Sequence, residues 1–113
     1  MANTALISII SRTNPLLKPL RTKNANIITP YDVLRNFELA VENNQIKYIT
    51  PSGISNEKEF NEIIDAGENY LSPGFIDIHT HANSGYDTMD ATFEAIDAMA
   101  RFHIQNGVTG FLA

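Results

Sequence analysis

The hydrophobic rhythm of the chain changes near residue 73. Before it, apolar residues come in short, turn-bounded runs. Ala25-Asn26-Ile27-Ile28 reads as a strand stopped by Thr29-Pro30, and Phe37-Glu38-Leu39-Ala40-Val41 alternates as a half-buried strand does. Glu42-Asn43-Asn44-Gln45 is turn chemistry, and 46–49 is a returning strand, so the two predict a hairpin. Residues 50–59 are polar and read as a surface loop. Ile63-Ile64 begins another short strand, and Tyr70-Leu71-Ser72 leads to Pro73. Such a series predicts part of a small β-sandwich or barrel. After residue 73 the units lengthen. Residues 75–78 form an apolar strand, 82–86 a turn-rich loop, and 92–106 a helix. Thr92 suits the helix N-cap, Glu94 its first turn and Gly107 the position just past its end. Phe93, Ile96, Ala100 and Ile104 fall at helical spacing and are expected to face the strands. Val108 opens a further apolar strand. This β–loop–α–β order is the building block of a parallel barrel.

The predicted fold class is therefore α/β: the start of a (β/α)8 TIM barrel preceded by part of a small β-sandwich. The expected organisation is a flexible N-terminal extension over 1–21, sandwich strands over 22–72, and the first β/α unit with the second barrel strand over 73–113.

Candidate chemistry concentrates in Asp77-Ile78-His79-Thr80-His81. Side chains two apart on a strand share a face, so Asp77, His79 and His81 lie together, opposite Ile76, Ile78 and Thr80. Two imidazoles side by side can hold one divalent metal, because neutral imidazole suits zinc, iron or nickel. Asp77, one step back on that face, is placed to orient or buffer them. A His-x-His pair alone is a weak signal. Its setting strengthens it: a Pro-Gly turn before, an apolar opposite face, and a loop and helix after. Barrel enzymes place ligands at the C-terminal ends of their strands in this way. His103 lies on the helix, where ligation is not expected. Asp90 reads as a turn or capping residue, and Asp87 lies in the loop after the strand. Glu57, Glu59 and Glu62 read as a solvated face.

Composition narrows the field. The chain has 113 residues, is 43% hydrophobic and 19% charged, and has no cysteine. That excludes disulfides and thiolate metal sites and is compatible with a reducing, cytoplasmic compartment. The net charge of −5 argues against nucleic-acid binding. The charge is polarised: residues 1–31 hold Arg12, Lys18, Arg21 and Lys23 with no acid, and all 13 acids lie from Asp32 onward. The apolar run 5–10 is too short to span a membrane and lacks the basic lead of a secretory signal.

The run Pro73-Gly74-Phe75-Ile76-Asp77-Ile78-His79-Thr80-His81 resembles the first barrel strand of the amidohydrolase superfamily. Gly85-Tyr86-Asp87-Thr88-Met89-Asp90-Ala91-Thr92, with Phe102-His103 and Asn106-Gly107-Val108-Thr109-Gly110-Phe111-Leu112, is similar to the N-acetylglucosamine-6-phosphate deacetylases within it. Asn24-Ala25-Asn26-Ile27-Ile28-Thr29-Pro30 and Ile63-Ile64-Asp65-Ala66-Gly67 extend the likeness upstream. One departure stands out: Ala82-Asn83-Ser84 replaces the glycine that usually follows the second histidine, which leaves the loop conformation open. The resemblance implies a metal-dependent enzyme acting on a small amino-sugar phosphate, with His79 and His81 as metal ligands, zinc or iron as the metal, and a homo-oligomeric parent. It also implies that the general acid/base and the remaining ligands, a glutamate and histidines, lie beyond Ala113.

Other readings compete. Phosphoesterases of the polymerase-and-histidinol-phosphatase type also carry Asp-x-His-x-His early in a barrel, but that motif usually opens their domain. A whole barrel needs about 250 residues, so the chain is expected to be the N-terminal portion of such an enzyme, inactive by itself, or a non-catalytic remnant.

Overall fold

The computed structural model describes residues 19–113, which divide into two compact units, one up to Pro73 and the other Gly74–Ala113. The expected flexible extension lies outside the described residues up to residue 18. Leu20 and Arg21, expected at its end, instead start the first strand.

In the first unit, the alternating segments grow into β1 (Leu20–Ile28), β2 (Val33–Glu42) and β3 (Gln45–Pro51). β1 and β2 pair antiparallel through a turn in which the Thr29 amide and hydroxyl both donate to the Asp32 carbonyl, at 2.9 and 2.8 Å. β2 and β3 pair antiparallel through Asn43-Asn44, with φ of 51° and 63°. Two successive left-handed residues make a hairpin turn whose twist matches that of the strands, and asparagine tolerates that conformation best among residues with a side chain. β4 (Glu62–Asp65) and β5 (Tyr70–Leu71) return parallel to successive stretches of β1. The result is one mixed five-stranded sheet of order β3-β2-β1-β4, with β5 also on β1.

The core of this unit is Ala25, Ile27, Leu39, Ala66 and Leu71, flanked by Leu34, Phe37 and Val41. The opposite face of β2 is covered as well. There Glu38 is fully buried and accepts from Arg21 Nη2 at 2.6 Å and from the Gly53 and Ser55 amides at 3.2 Å each. Arg21 pairs with Ala40 in the ladder, which puts its side chain diagonal to Glu38 on the same face. One carboxylate thus joins β1, β2 and the loop after β3. Burial works to raise the Glu38 pKa. The Ser55 and Arg21 hydrogen bonds, the Gly53 amide and the Arg21 charge together outweigh it and hold the value below the ordinary 4.5.

In the second unit, β6 (Phe75–Asp77) pairs parallel with β9 (Val108–Phe111), and α1 (Phe93–Gln105) connects them. Adjacent parallel strands linked by a helix match the sequence expectation. Thr92 caps α1, its hydroxyl accepting from the Ala95 amide at 3.2 Å. Gly107, at φ 80°, ends it and accepts from the Phe75 amide at 2.9 Å, joining the helix exit to the start of β6. Gly74 is required by packing, since a Cβ there would collide with the Thr109 side chain across the ladder.

The helix turns inward a different stripe from the expected one. Ala95, Met99 and His103 are buried, whereas Phe93, Ile96 and Ile104 are 80%, 40% and 43% exposed. Spacing alone defines several apolar stripes on α1, and a histidine at the end of the true one disguised it.

Candidate metal centre

β6 ends at Asp77, so His79 and His81 lie two and four residues beyond it, past the C-terminal end of the parallel pair and not, as expected, on one strand face with Asp77. Both are exposed, with ring centroids 4.6 Å apart and planes at 86°. Their main chain is held at successive points. The His79 amide donates to Asp77 Oδ1 at 3.1 Å. The Thr80 amide donates to the Leu112 carbonyl at 3.0 Å, and the Leu112 amide donates to the Asp77 carbonyl at 2.9 Å. The His81 carbonyl accepts from the Thr88 amide at 2.9 Å. Asp77, expected to act on the imidazoles, thus reaches His79 through its main chain.

The loop left open by sequence is a small hairpin. β7 (Ala82–Asn83) and β8 (Tyr86–Asp87) pair antiparallel around Ser84 and Gly85, with φ of 54° and 82°. Two left-handed residues in succession again explain the turn. Beyond it, Thr88–Asp90 forms a single 3-10 turn closed by a reciprocal box. Asp87 Oδ1 accepts from the Met89 amide at 2.7 Å, and Asp90 Oδ2 accepts from the Asp87 amide at 2.9 Å. The capping role expected for Asp90 is therefore observed. Asp87 does matching work on the main chain, and its partner turn supplies the Thr88 amide that holds His81.

His103 is 6% exposed. Its ring stacks on Phe111 with centroids 4.6 Å apart, and Nε2 lies 3.2 Å from Asn83 Nδ2. Sequence reading placed His103 near the apolar stripe but missed both partners. The available signal was its spacing of four and eight residues from Met99 and Ala95. Asn83 carried no signal beyond its place in a turn-rich segment.

The donor set can be weighed against a divalent metal. Two imidazoles on one exposed edge suit zinc or iron. Among the described residues no group of three or more His, Cys, Asp or Glu side chains gathers to hold a metal ion. Protein zinc sites use about three or four protein ligands, so the pair fits as part of a site whose other ligands lie elsewhere. Among the described residues, no helix is long and apolar enough to cross a membrane.

No protein-family model matches the chain. It is 33% identical over 98 residues to N-acetylglucosamine-6-phosphate deacetylase of Bacillus subtilis, a match covering 87% of this chain and 24% of that protein. It is 35% identical over 88 residues to an adenine deaminase of Listeria monocytogenes, covering 77% of this chain and 13% of that protein. The fold matches the crystal structure of N-acetylglucosamine-6-phosphate deacetylase from Pasteurella multocida with a TM-score of 0.76 and 28% identity, over 83% of this chain and 24% of that one. The chain thus spans about a quarter or less of the proteins it matches.

Proposed function

We propose that this chain, whose sequence and fold match the N-terminal portion of the N-acetylglucosamine-6-phosphate deacetylases of the amidohydrolase superfamily, belongs to a longer, metal-dependent enzyme that hydrolyses N-acetylglucosamine 6-phosphate. The single observation that supports this best is the pair of adjacent imidazoles at the end of a parallel strand, held at the backbone on both sides. His79 and His81 would hold the metal, zinc or iron, which would supply Lewis-acid chemistry there, acidifying a water molecule and polarising the acetamide carbonyl. Asp77 and Thr88 fix the backbone from which the two imidazoles project. In the overall reaction water adds to the amide carbon, the C–N bond breaks, and the amine leaves with a proton as glucosamine 6-phosphate, releasing acetate. The general acid/base and the remaining ligands come from later barrel strands. Residues 22–72 supply sheet that accompanies the barrel, and 73–113 supply its first β/α unit and second strand. The parent is a cytoplasmic homo-oligomer with a small-molecule substrate, and neither nucleic acid nor membrane takes part.

The test uses the full-length enzyme. His79→Ala, His81→Ala and the double variant are purified, their metal content is measured, and acetate release is followed. Each single change should cut both sharply, and the double variant should retain almost none. A double variant still fully loaded with metal sinks the ligand assignment. The match to adenine deaminase favours one second reading, an amidohydrolase with another substrate. Ammonia release from adenine without acetate release from the amino sugar would select it.

A further inference from the structure

Resting on the metal site proposed above, we propose that His103 is a positioning residue for it: its buried ring ties together the two elements that hold the main chain of His79-Thr80-His81. One element is β9. Phe111, on which the ring stacks, pairs with Asp77 in the parallel ladder, and the adjoining Leu112 exchanges hydrogen bonds with Asp77 and Thr80. The other is the hairpin. Asn83, bonded to the ring at 3.2 Å, pairs with Tyr86, and Ala82 with Asp87. The next hydrogen bond along this ladder runs from the Thr88 amide to the His81 carbonyl. A single imidazole on α1 therefore sets the spacing between the strand behind the ligand pair and the loop in front of it.

Neither simple alternative accounts for this placement. A ligand would turn a ring nitrogen toward the open edge where His79 and His81 lie exposed, whereas His103 is 6% exposed and packed on Phe111. A pure core position would favour an apolar side chain, because a buried polar ring costs free energy unless it is hydrogen-bonded. Here the bond goes to a residue two positions from His81. It forms with either tautomer of the ring, the Asn83 amide presenting its NH2 or its oxygen accordingly.

The test uses the full-length enzyme, with zinc as the probe and a competing chelator to read affinity. His103→Phe keeps the stack on Phe111 and removes the ring nitrogens. Asn83→Ala removes the same bond from the other side, which keeps the test open if one variant folds poorly. Partners that orient metal ligands typically change metal affinity about 10- to 100-fold when removed. Since His103 acts through the main chain, each variant should weaken zinc binding by about tenfold. Zinc should still bind at wild-type stoichiometry when saturating, and the double variant should be no weaker than either single one. His103→Gln, which restores a group able to bond Asn83, should recover most of the affinity. Wild-type affinity in both single variants overturns the proposal. So does a loss that follows the melting temperature of the metal-free protein and is not recovered by His103→Gln, which would make the contact packing alone. Reduced stoichiometry at saturation would make His103 a ligand and also overturn it. Failure of the metal reading itself is seen separately, as full zinc loading in the His79→Ala, His81→Ala double variant.

Discussion

Both units of this chain leave some large apolar residues exposed, Tyr31 and Ile54 in the first among them, but they differ in what they bury. The first encloses a core on one face of its sheet, and on the other it buries a charged pair whose carboxylate has three donors. The second buries Ala95 and Met99 under its helix but leaves other large apolar side chains open: Ile76, Ile78, Phe93 and Leu112 are 70%, 76%, 80% and 64% exposed. Yet the second unit carries the candidate ligands, and its polar end is ordered hydrogen bond by hydrogen bond. A five-stranded sheet can satisfy itself. A lone β/α unit exposes its strand edges and helix flanks, which neighbouring units cover in a barrel. The candidate ligands therefore sit on the less self-sufficient part, and its local order comes from main-chain hydrogen bonds and caps more than from buried area.

The largest effect that probes this contrast is expected from Glu38→Ala. It leaves the Arg21 guanidinium without its buried carboxylate and the Gly53 and Ser55 amides without an acceptor. Breaking a buried pair from one side costs about 3–5 kcal/mol. Residue-resolved hydrogen exchange should show protection lost over β1–β3 and kept over α1. Equal loss in both units would break the contrast.

The same carboxylate predicts acid sensitivity. Its folded pKa lies below 4.5, so its contribution is full above that pH and fades as pH falls through the folded value. Thermal unfolding followed below pH 5 should locate this loss in the first unit. Glu38→Gln should flatten the dependence, and an unchanged slope would remove Glu38 as its cause.

In the second unit the expected effects are smaller. Gly74→Ala drives a methyl group into Thr109, and overpacking of this kind costs about 1–3 kcal/mol. Adding Thr109→Ala should recover part of it in a double-mutant cycle, and full additivity would mean that the two residues do not meet. The smallest effect is expected from Thr92→Ala, which removes the α1 cap at about 1 kcal/mol. Its readout is helical signal and denaturant midpoint. A loss several times larger would indicate that Thr92 holds more than the first turn.

Much of this architecture was legible in local patterns, because period, turn residues and caps act over a few positions. The sequence by itself determined the strand-turn-strand order before residue 73, the hairpin around Asn43-Asn44, the helix bounded by Thr92 and Gly107, and the His-x-His pair at a strand end. It also pointed to the capping role of Asp90. Contacts across long separations were decided only in three dimensions. Arg21 meets Glu38 across 17 positions, and Asn83 meets His103 across 20. Glu38 looked like the polar residue of an alternating strand until the loop after β3 closed over it. The inward stripe of α1 was likewise a tertiary choice, since apolar residues lie on several sides of that helix and only packing on the strands selects Ala95, Met99 and His103. Hydrophobic period states that a face is buried, but the identity of that face follows from which neighbours are present to cover it.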